Sequence, residues 1–185
     1  MVLQMLVACG ANVNIQCQHA RYNNPLQAAC FNARPHRKGL GEDSTIYIDI
    51  ARFLLERGAN PNLHGGDGGD ALQAAVAGSA QGNSEGNNID IVKLVIEHGA
   101  QLNHRGGSFH SAIRAAVFGG NMSAAHLLID AGVELDDDVF LEAVDGERGS
   151  VVPRLLEKGV DVNVESKRGT ALQLAIKCKD WATVR

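Results

Sequence analysis

The sequence predicts an all-α solenoid, a stack of helix pairs built on a repeated unit, and two observations carry that expectation. A short phrase recurs as CGANVN at Cys9 to Asn14, RGANPN at Arg57 to Asn62, HGAQLN at His98 to Asn103, AGVELD at Ala131 to Asp136 and KGVDVN at Lys158 to Asn163. The copies close apolar runs such as Phe53-Leu54-Leu55, Leu94-Val95-Ile96, Leu127-Leu128-Ile129 and Leu155-Leu156, so each reads as a helix ended by a glycine. Glycine suits that place because the residue after a helix often adopts a left-handed conformation that a Cβ disfavours. A helix end recurring every few tens of residues marks a stacked-repeat architecture, and such stacks commonly serve as binding surfaces.

The units follow in order from a second phrase. It reads Asn24-Pro25-Leu26-Gln27-Ala28-Ala29, Asp70-Ala71-Leu72-Gln73-Ala74-Ala75, Ser111-Ala112-Ile113-Arg114-Ala115-Ala116 and Thr170-Ala171-Leu172-Gln173-Leu174-Ala175, with a degenerate copy at Asp138 to Ala143. Ser111 to Gly132 and Asp138 to Gly159 each span 21 positions, room for two short helices and a tight turn. The chain therefore divides into a partial unit 1–23, repeats 24–69, 70–110, 111–137 and 138–169, and a partial unit 170–185, all one domain. Met1 to Gly10 supplies only the second helix of a pair, and Thr170 to Arg185 a first helix and the start of another.

The second phrase resembles the ankyrin T-P-L-H-x-A signature, with glutamine or arginine in place of histidine, and the Gly99 to Gly132 spacing of 33 matches the ankyrin period of about 33 residues. The Leu-Gln-Ala-Ala variant after a Gly-Gly segment, HGGDGGDALQAA, is also similar to arrays of large fungal multidomain proteins. The resemblance implies an ankyrin-repeat solenoid with short β-turn fingers, whose members bind other proteins through finger tips and a concave face of inner helices. Carried over by position, the fingers are Gln16 to Asn23, His64 to Gly69, Arg105 to His110 and Glu165 to Gly169. The groove positions of the inner helices are Phe31 and Asn32, Ala77 and Gly78, Phe118 and Gly119, Asp145 and Gly146, and Lys177 and Cys178. The partner-binding candidates are thus Arg21, Tyr22, Phe31, Asp67, Arg105, Phe109, His110 and Phe118. Phe31 and Phe118 either face the groove, as aromatic anchors worth about 2 kcal/mol or more each on truncation, or pack against a neighbouring repeat.

Three irregularities interrupt the register. Asn24 to Gly58 spans 34 positions, with the excess in the polar, locally basic segment 32–45, and Asp70 to Gly99 spans 29, with the excess in GSAQGNSEGNN, 78–88, expected to be a mobile loop. Gly132 to Asp138 is only 6, against 12 for both Gly58 to Asp70 and Gly99 to Ser111, so the finger near 133–137 is missing or cut to a turn. At the start of each inner helix, Gln27, Gln73 and Gln173 are expected to tie finger to helix, because a polar side chain there reaches backbone groups without helical partners.

Composition narrows the function class. Apolar residues make up 45% of the chain and aromatics only 4%, which suits short helices packed through Ala, Leu, Val and Ile. No apolar run approaches the roughly 18 residues of a membrane span, and Met1 to Ala8 lacks the basic flank of a signal peptide, so an intracellular protein with no membrane partner is expected. Cys9, Cys17, Cys30 and Cys178 show no close pairing motif and are expected as free thiols. A net charge of −4 without a recurring basic stripe argues against a nucleic-acid partner. The acidic repeat around Glu134, Asp136, Asp137, Asp138, Glu142, Asp145 and Glu147, and the basic Arg34, Arg37 and Lys38, are either complementary to a charged partner or a solvated surface.

Catalysis and cofactors find no support. Gly65-Gly66-Asp67-Gly68-Gly69 lacks the following Gly-Lys-Ser/Thr of a phosphate loop, and Asp136-Asp137-Asp138 lacks the alternating ligands of a calcium loop. The seven histidines are scattered without zinc spacing, and His98 and His126 read as satisfied structural residues on outer helices. The expectation is a non-catalytic, monomeric protein-interaction module with no metal or cofactor. The rival is a regulatory or spacer appendage of a larger enzyme or nucleotide-binding protein. Apolar residues at both ends (Val2, Leu3, Leu6, Val7; Leu172, Leu174, Ala175, Ile176) suggest a piece of a longer array, whose uncapped ends could associate.

Overall fold

A computed structural model of the chain describes residues 2–17, 20–33, 44–79 and 89–178. The helices are α1 (Val2–Ala8), α2 (Pro25–Asn32), α3 (Ser44–Glu56), α4 (Ala71–Ser79), α5 (Ile89–Glu97), α6 (Ala112–Gly119), α7 (Met122–Asp130), α8 (Asp137–Asp145), α9 (Val152–Glu157) and α10 (Ala171–Lys177). Strands β1 (Glu165–Ser166) and β2 (Gly169–Thr170) pair antiparallel before α10. Helices α2, α4, α6, α8 and α10 pack in one row, each on the next, and α3, α5, α7 and α9 form a second row behind them. The solenoid and its short fingers are as the repeated phrases predict.

Local sequence explains where the helices stop. In all five copies of the first phrase the glycine has a positive φ, from +84° at Gly159 to +91° at Gly10. The next amide then reaches back to the helix: Ala11 N to Leu6 O, Ala59 N to Leu54 O, Ala100 N to Val95 O, Val133 N to Leu128 O and Val160 N to Leu155 O. This double closure satisfies carbonyls that the helix leaves without partners. The helix starts are equally local. Asn24, Ser111, Asp136 and Thr170 each accept a bond from the amide three residues on, and Asp70 does the same for Gln73 N at 2.8 Å.

Helices too short to be stable alone persist here because each contributes a buried aliphatic side chain to one continuous core. From α2 to α10 these include Leu26, Leu54, Leu72, Ile91, Ile113, Leu128, Leu141, Leu155 and Leu174, all essentially without solvent exposure. Small residues let the inner row pack closely. A Cβ at Gly78 in the last turn of α4 would run into the Phe31 carbonyl of α2.

Several expectations are corrected. Gly78 and Ser79 belong to α4, and Ser44 and Thr45 open α3, so the insertions are shorter than 78–88 and 32–45; their remaining parts, 80–88 and 34–43 with Arg34, Arg37 and Lys38, lie outside the described residues. The cap of α8 is Asp136, whose carboxylate meets Val139 N at 3.0 Å, two positions ahead of Asp138. Leu174 and Ala175 are buried, because they face α8, whereas Leu172 and Ile176 are exposed. At the other end Leu3 and Val7 are half-buried, and Val2, Met5 and Leu6 exposed. Among the described residues no helix is long and apolar enough to cross a membrane.

Candidate protein-binding surface

Two side-chain ladders align the repeats, and both begin in the sequence phrases. The first is built by the glutamines. Gln27, fully buried, accepts from Asn23 N at 2.7 Å and donates to Leu63 O at 3.1 Å and Gly69 O at 2.8 Å. It therefore ties its own finger to its helix and also grips the finger of the next repeat. Gln73 likewise donates to His104 O at 3.0 Å. Gln173, in the last described repeat, closes only its own cap, accepting from Thr170 N at 3.0 Å.

The second ladder was not read from the sequence, although its residue ends the quoted phrase. The asparagine four positions after the turn glycine bridges to the next repeat. Asn14 donates to Gly58 O at 2.9 Å and accepts from Asn60 N at 2.7 Å; Asn62 donates to Gly99 O at 3.0 Å and accepts from Gln101 N at 2.8 Å. Asn103 keeps one of these bonds, from Glu134 N at 2.8 Å. The recurrence of asparagine at one register position was the available signal; its partner, some 40 residues away, was not.

The fingers stack on these ladders. Tyr22 pairs with Gly66 across the first two, Ser108 N donates to Asp67 O at 3.2 Å between the next two, and Gly106 pairs with His110 inside the third. Gly66 is needed there, since it has φ +64° and a Cβ would lie 2.7 Å from Arg21 O. Gly65 and Gly69, also at positive φ, leave room for the Asn23 and Gln73 side chains. Between α7 and α8, residues 131–136 form no bridge, in keeping with a lost finger.

The predicted binding residues divide into two groups. Phe118 is 60% exposed at the end of α6, its ring 5.8 Å from that of half-buried Phe109 on the adjoining finger. His110, at φ +68°, and Arg105 are exposed nearby in sequence on that finger, and Arg105 pairs with Asp136 at 3.2 Å. Arg148 braces this region by donating to Val117 O at 3.3 Å and Phe118 O at 3.4 Å, which caps the end of α6. Phe31, by contrast, is only 5% exposed and is no groove anchor. Half-buried Tyr22 lies 5.1 Å from its ring and exposed Arg21 sits 4.9 Å above it, so this cluster shows the solvent a guanidinium rather than a phenyl ring. Asp67 is exposed on the second finger; Ala77 and Gly78, expected in the groove, are buried.

Neighbouring repeats partly neutralise the acidic one. Arg105 holds Asp136, Arg114 holds Glu142 at 3.2 Å and Asp138 at 3.4 Å, and Arg168 and Lys177 hold Asp145 at 2.6 and 3.5 Å. Cys30 is buried and its thiol is pushed far up, first by burial and then by the charge of Asp70, so it is unreactive. All four cysteines are free, with Cys9 and Cys17 exposed. His98 Nδ1 lies 2.8 Å from Leu94 O, but buried His126 Nδ1 has no hydrogen-bond partner, unlike the satisfied residue expected. Among the described residues no three His, Cys, Asp or Glu side chains gather as a metal site would require.

Stacked helix pairs, left-handed glycine turns and interlocked fingers define a helical-repeat solenoid with the ankyrin fold. In agreement, residues 21–65 match the family model of the ankyrin repeat, and the fold is that of an ankyrin-repeat solenoid. Among solved structures, the human ASB11 ankyrin repeat domain is 24% identical with a TM-score of 0.69, over 98% of this chain and 74% of that one. A chain in the structure of the predatory endopeptidase Bd0816 from Bdellovibrio bacteriovorus in complex with immunity protein Bd3460 is 20% identical with a TM-score of 0.71, over 98% and 87%. Likeness at these identities concerns the fold. A search of curated proteins found no match to the sequence.

Proposed function

We propose that this chain is a non-catalytic protein-binding module whose contact surface centres on Phe118 and Phe109, with His110 and Arg105 beside them and the Arg21–Tyr22 cap as a second contact. Ankyrin repeats in general are protein-interaction modules, which supports the class. The observation that carries the location is the exposed ring of Phe118, held on a helix end braced by Arg148 and backed by Phe109. A large aromatic on a rigid support loses little side-chain entropy on binding and removes much apolar area from water, and such residues dominate interface energetics. Arg105 gives this surface a polar rim, and Arg21 does the same for the second contact.

The test compares proteins captured from a cell extract by the immobilised chain and by Phe118→Ser, identified by mass spectrometry. Because Phe118 is exposed, the variant should melt with the wild type. A protein retained by the wild type and lost from the variant supports this surface. If every captured protein binds both equally, the reading is refuted.

A further inference from the structure

We infer that the gap between the fourth and fifth glycine turns is a second docking site, which takes an extended, net-basic segment of a partner protein and holds one asparagine side chain of that segment. The reasoning starts from the asparagine ladder. At the first two rungs a carboxamide bridges the carbonyl of the next turn glycine and the amide two residues beyond it. At the fourth rung the ladder position is Asp136. A carboxylate has no donor for the Gly159 carbonyl, and both its oxygens are used elsewhere, one by Val139 N and one by Arg105.

The receiving turn is nonetheless preformed. Asn163 N bonds to Asp161 Oδ1 at 2.8 Å, as Asn62 N bonds to Asn60 Oδ1 at 2.9 Å in the second repeat, and Gly159 has φ +84° against +85° for Gly58. Among the described residues, no side chain bridges Gly159 O and Asp161 N. The chain itself shows that the side chain fitting such a pair is a carboxamide.

The space is also there. Between the third and fourth turns, where Asn103 still reaches Glu134, the gap enclosed by both turns holds about 10 Å³, and the open hollow of about 530 Å³ beside it is lined by Gln101 to Arg105 of the third turn alone. One repeat later, the cleft between the fourth and fifth turns holds about 540 Å³. Its walls include Leu135 and Val160, both half-buried, and its rim carries Asp137, Asp161 and Lys158. None of these three charges has an ion-pair partner among the described residues, and two negatives against one positive favour a basic neighbour beside the incoming asparagine. The loss of the finger between α7 and α8 leaves this side open to an extended strand. The cleft shares no lining residue with the Phe109–Phe118 surface, so either site can fail without the other.

The experiment titrates ¹⁵N-labelled protein with the peptide acetyl-Lys-Val-Asn-Val-Lys-amide to millimolar concentration and follows the backbone amide of Asp161 by NMR. A saturable downfield shift at Asp161 and its neighbours is expected. The same peptide with Asp for Asn keeps the acceptor but loses the donor to Gly159 O, and should bind about tenfold more weakly, the effect of one lost hydrogen bond; with Leu, which loses both bonds, it should bind more weakly still. Leu135→Arg should lose the shift, with a melt confirming its fold, while Phe118→Ser should keep it. The inference is overturned if the Asp161 amide does not respond, or if the Asn, Asp and Leu peptides bind alike. It is equally overturned if that amide shifts with protein concentration in the absence of peptide, since the occupant is then a second copy of the chain.

Discussion

Replacing Gln27 with leucine keeps nearly the same side-chain volume and removes three hydrogen bonds that hold two successive fingers to one helix. The magnitude follows from what each partner is left with. Asn23 N–H is buried and loses its acceptor, which costs about 1–3 kcal/mol for a stranded donor. Gly69 O still accepts from Gly65 N at 2.9 Å, and Leu63 is half-exposed and open to water, so these two bonds are worth only about 0.5–1 kcal/mol each. The sum is a loss of about 3 kcal/mol. The matched control is Gln173→Leu, where an exposed glutamine closes only its own cap and the loss should stay below about 1 kcal/mol. Urea unfolding followed by circular dichroism measures both, and because repeat arrays sum intrinsic and nearest-neighbour terms, the Gln27 variant should also unfold less cooperatively. Equal losses in the two variants, or a Gln27→Leu loss under about 1 kcal/mol, would refute the claim that this residue couples repeats.

Other perturbations test separate links of the argument. Phe31→Ser should cost about 3–5 kcal/mol as a core truncation, whereas Phe118→Ser should cost under about 1 kcal/mol; thermal melts that rank them the other way would invert the assignment of core and surface. Gly99→Ala should cost about 1–2 kcal/mol through its φ of +85° alone, since a Cβ there meets nothing within 4 Å, and Gly99→Asn should cost less. A urea midpoint for the alanine variant equal to wild type would dismiss the left-handed turn as a constraint. Burial raises the Asp70 carboxyl above its ordinary range, outweighing the amides of Gln73 and Leu72 and the charges of His104 and His64, which lower it. A raised carboxyl contributes stability at low pH that is lost as pH rises from the ordinary carboxylate range through the shifted value. Asp70→Asn, which keeps the cap as Asn24 does, should therefore gain on wild type with rising pH across that window and then level off; a stability difference independent of pH would reject the buried-charge account.

Much of the fold was legible in the sequence because its determinants are local. A glycine after an apolar run, the repeated Leu-Gln-Ala-Ala phrase and the short spacing after Gly132 each act within a few residues, and the structure places helix ends, inner helices and a missing finger accordingly; the capping side chains at the helix starts were not read from the sequence. The candidate binding residues were less legible. Phe31 and Phe118 occupy equivalent positions in the repeat, and the sequence distinguishes them only by their surroundings. Tyr22 and Arg21 fold over the first, while Phe109 stands beside the second and leaves it open.

What the sequence by itself determined is the repeat, the glycine-terminated helix ends and the residue types at each register position, since these follow from local backbone conformation. Only the tertiary structure decided how one repeat meets the next: that Asn14 reads the turn at Gly58 while Asp136 leaves the turn at Gly159 unread, that the acidic repeat is answered by Arg105, Arg114 and Arg168, and that a cleft of about 540 Å³ opens where the ladder breaks. Those outcomes depend on distances between segments 23 to 46 positions apart, and such distances are set by the stacking of whole repeats.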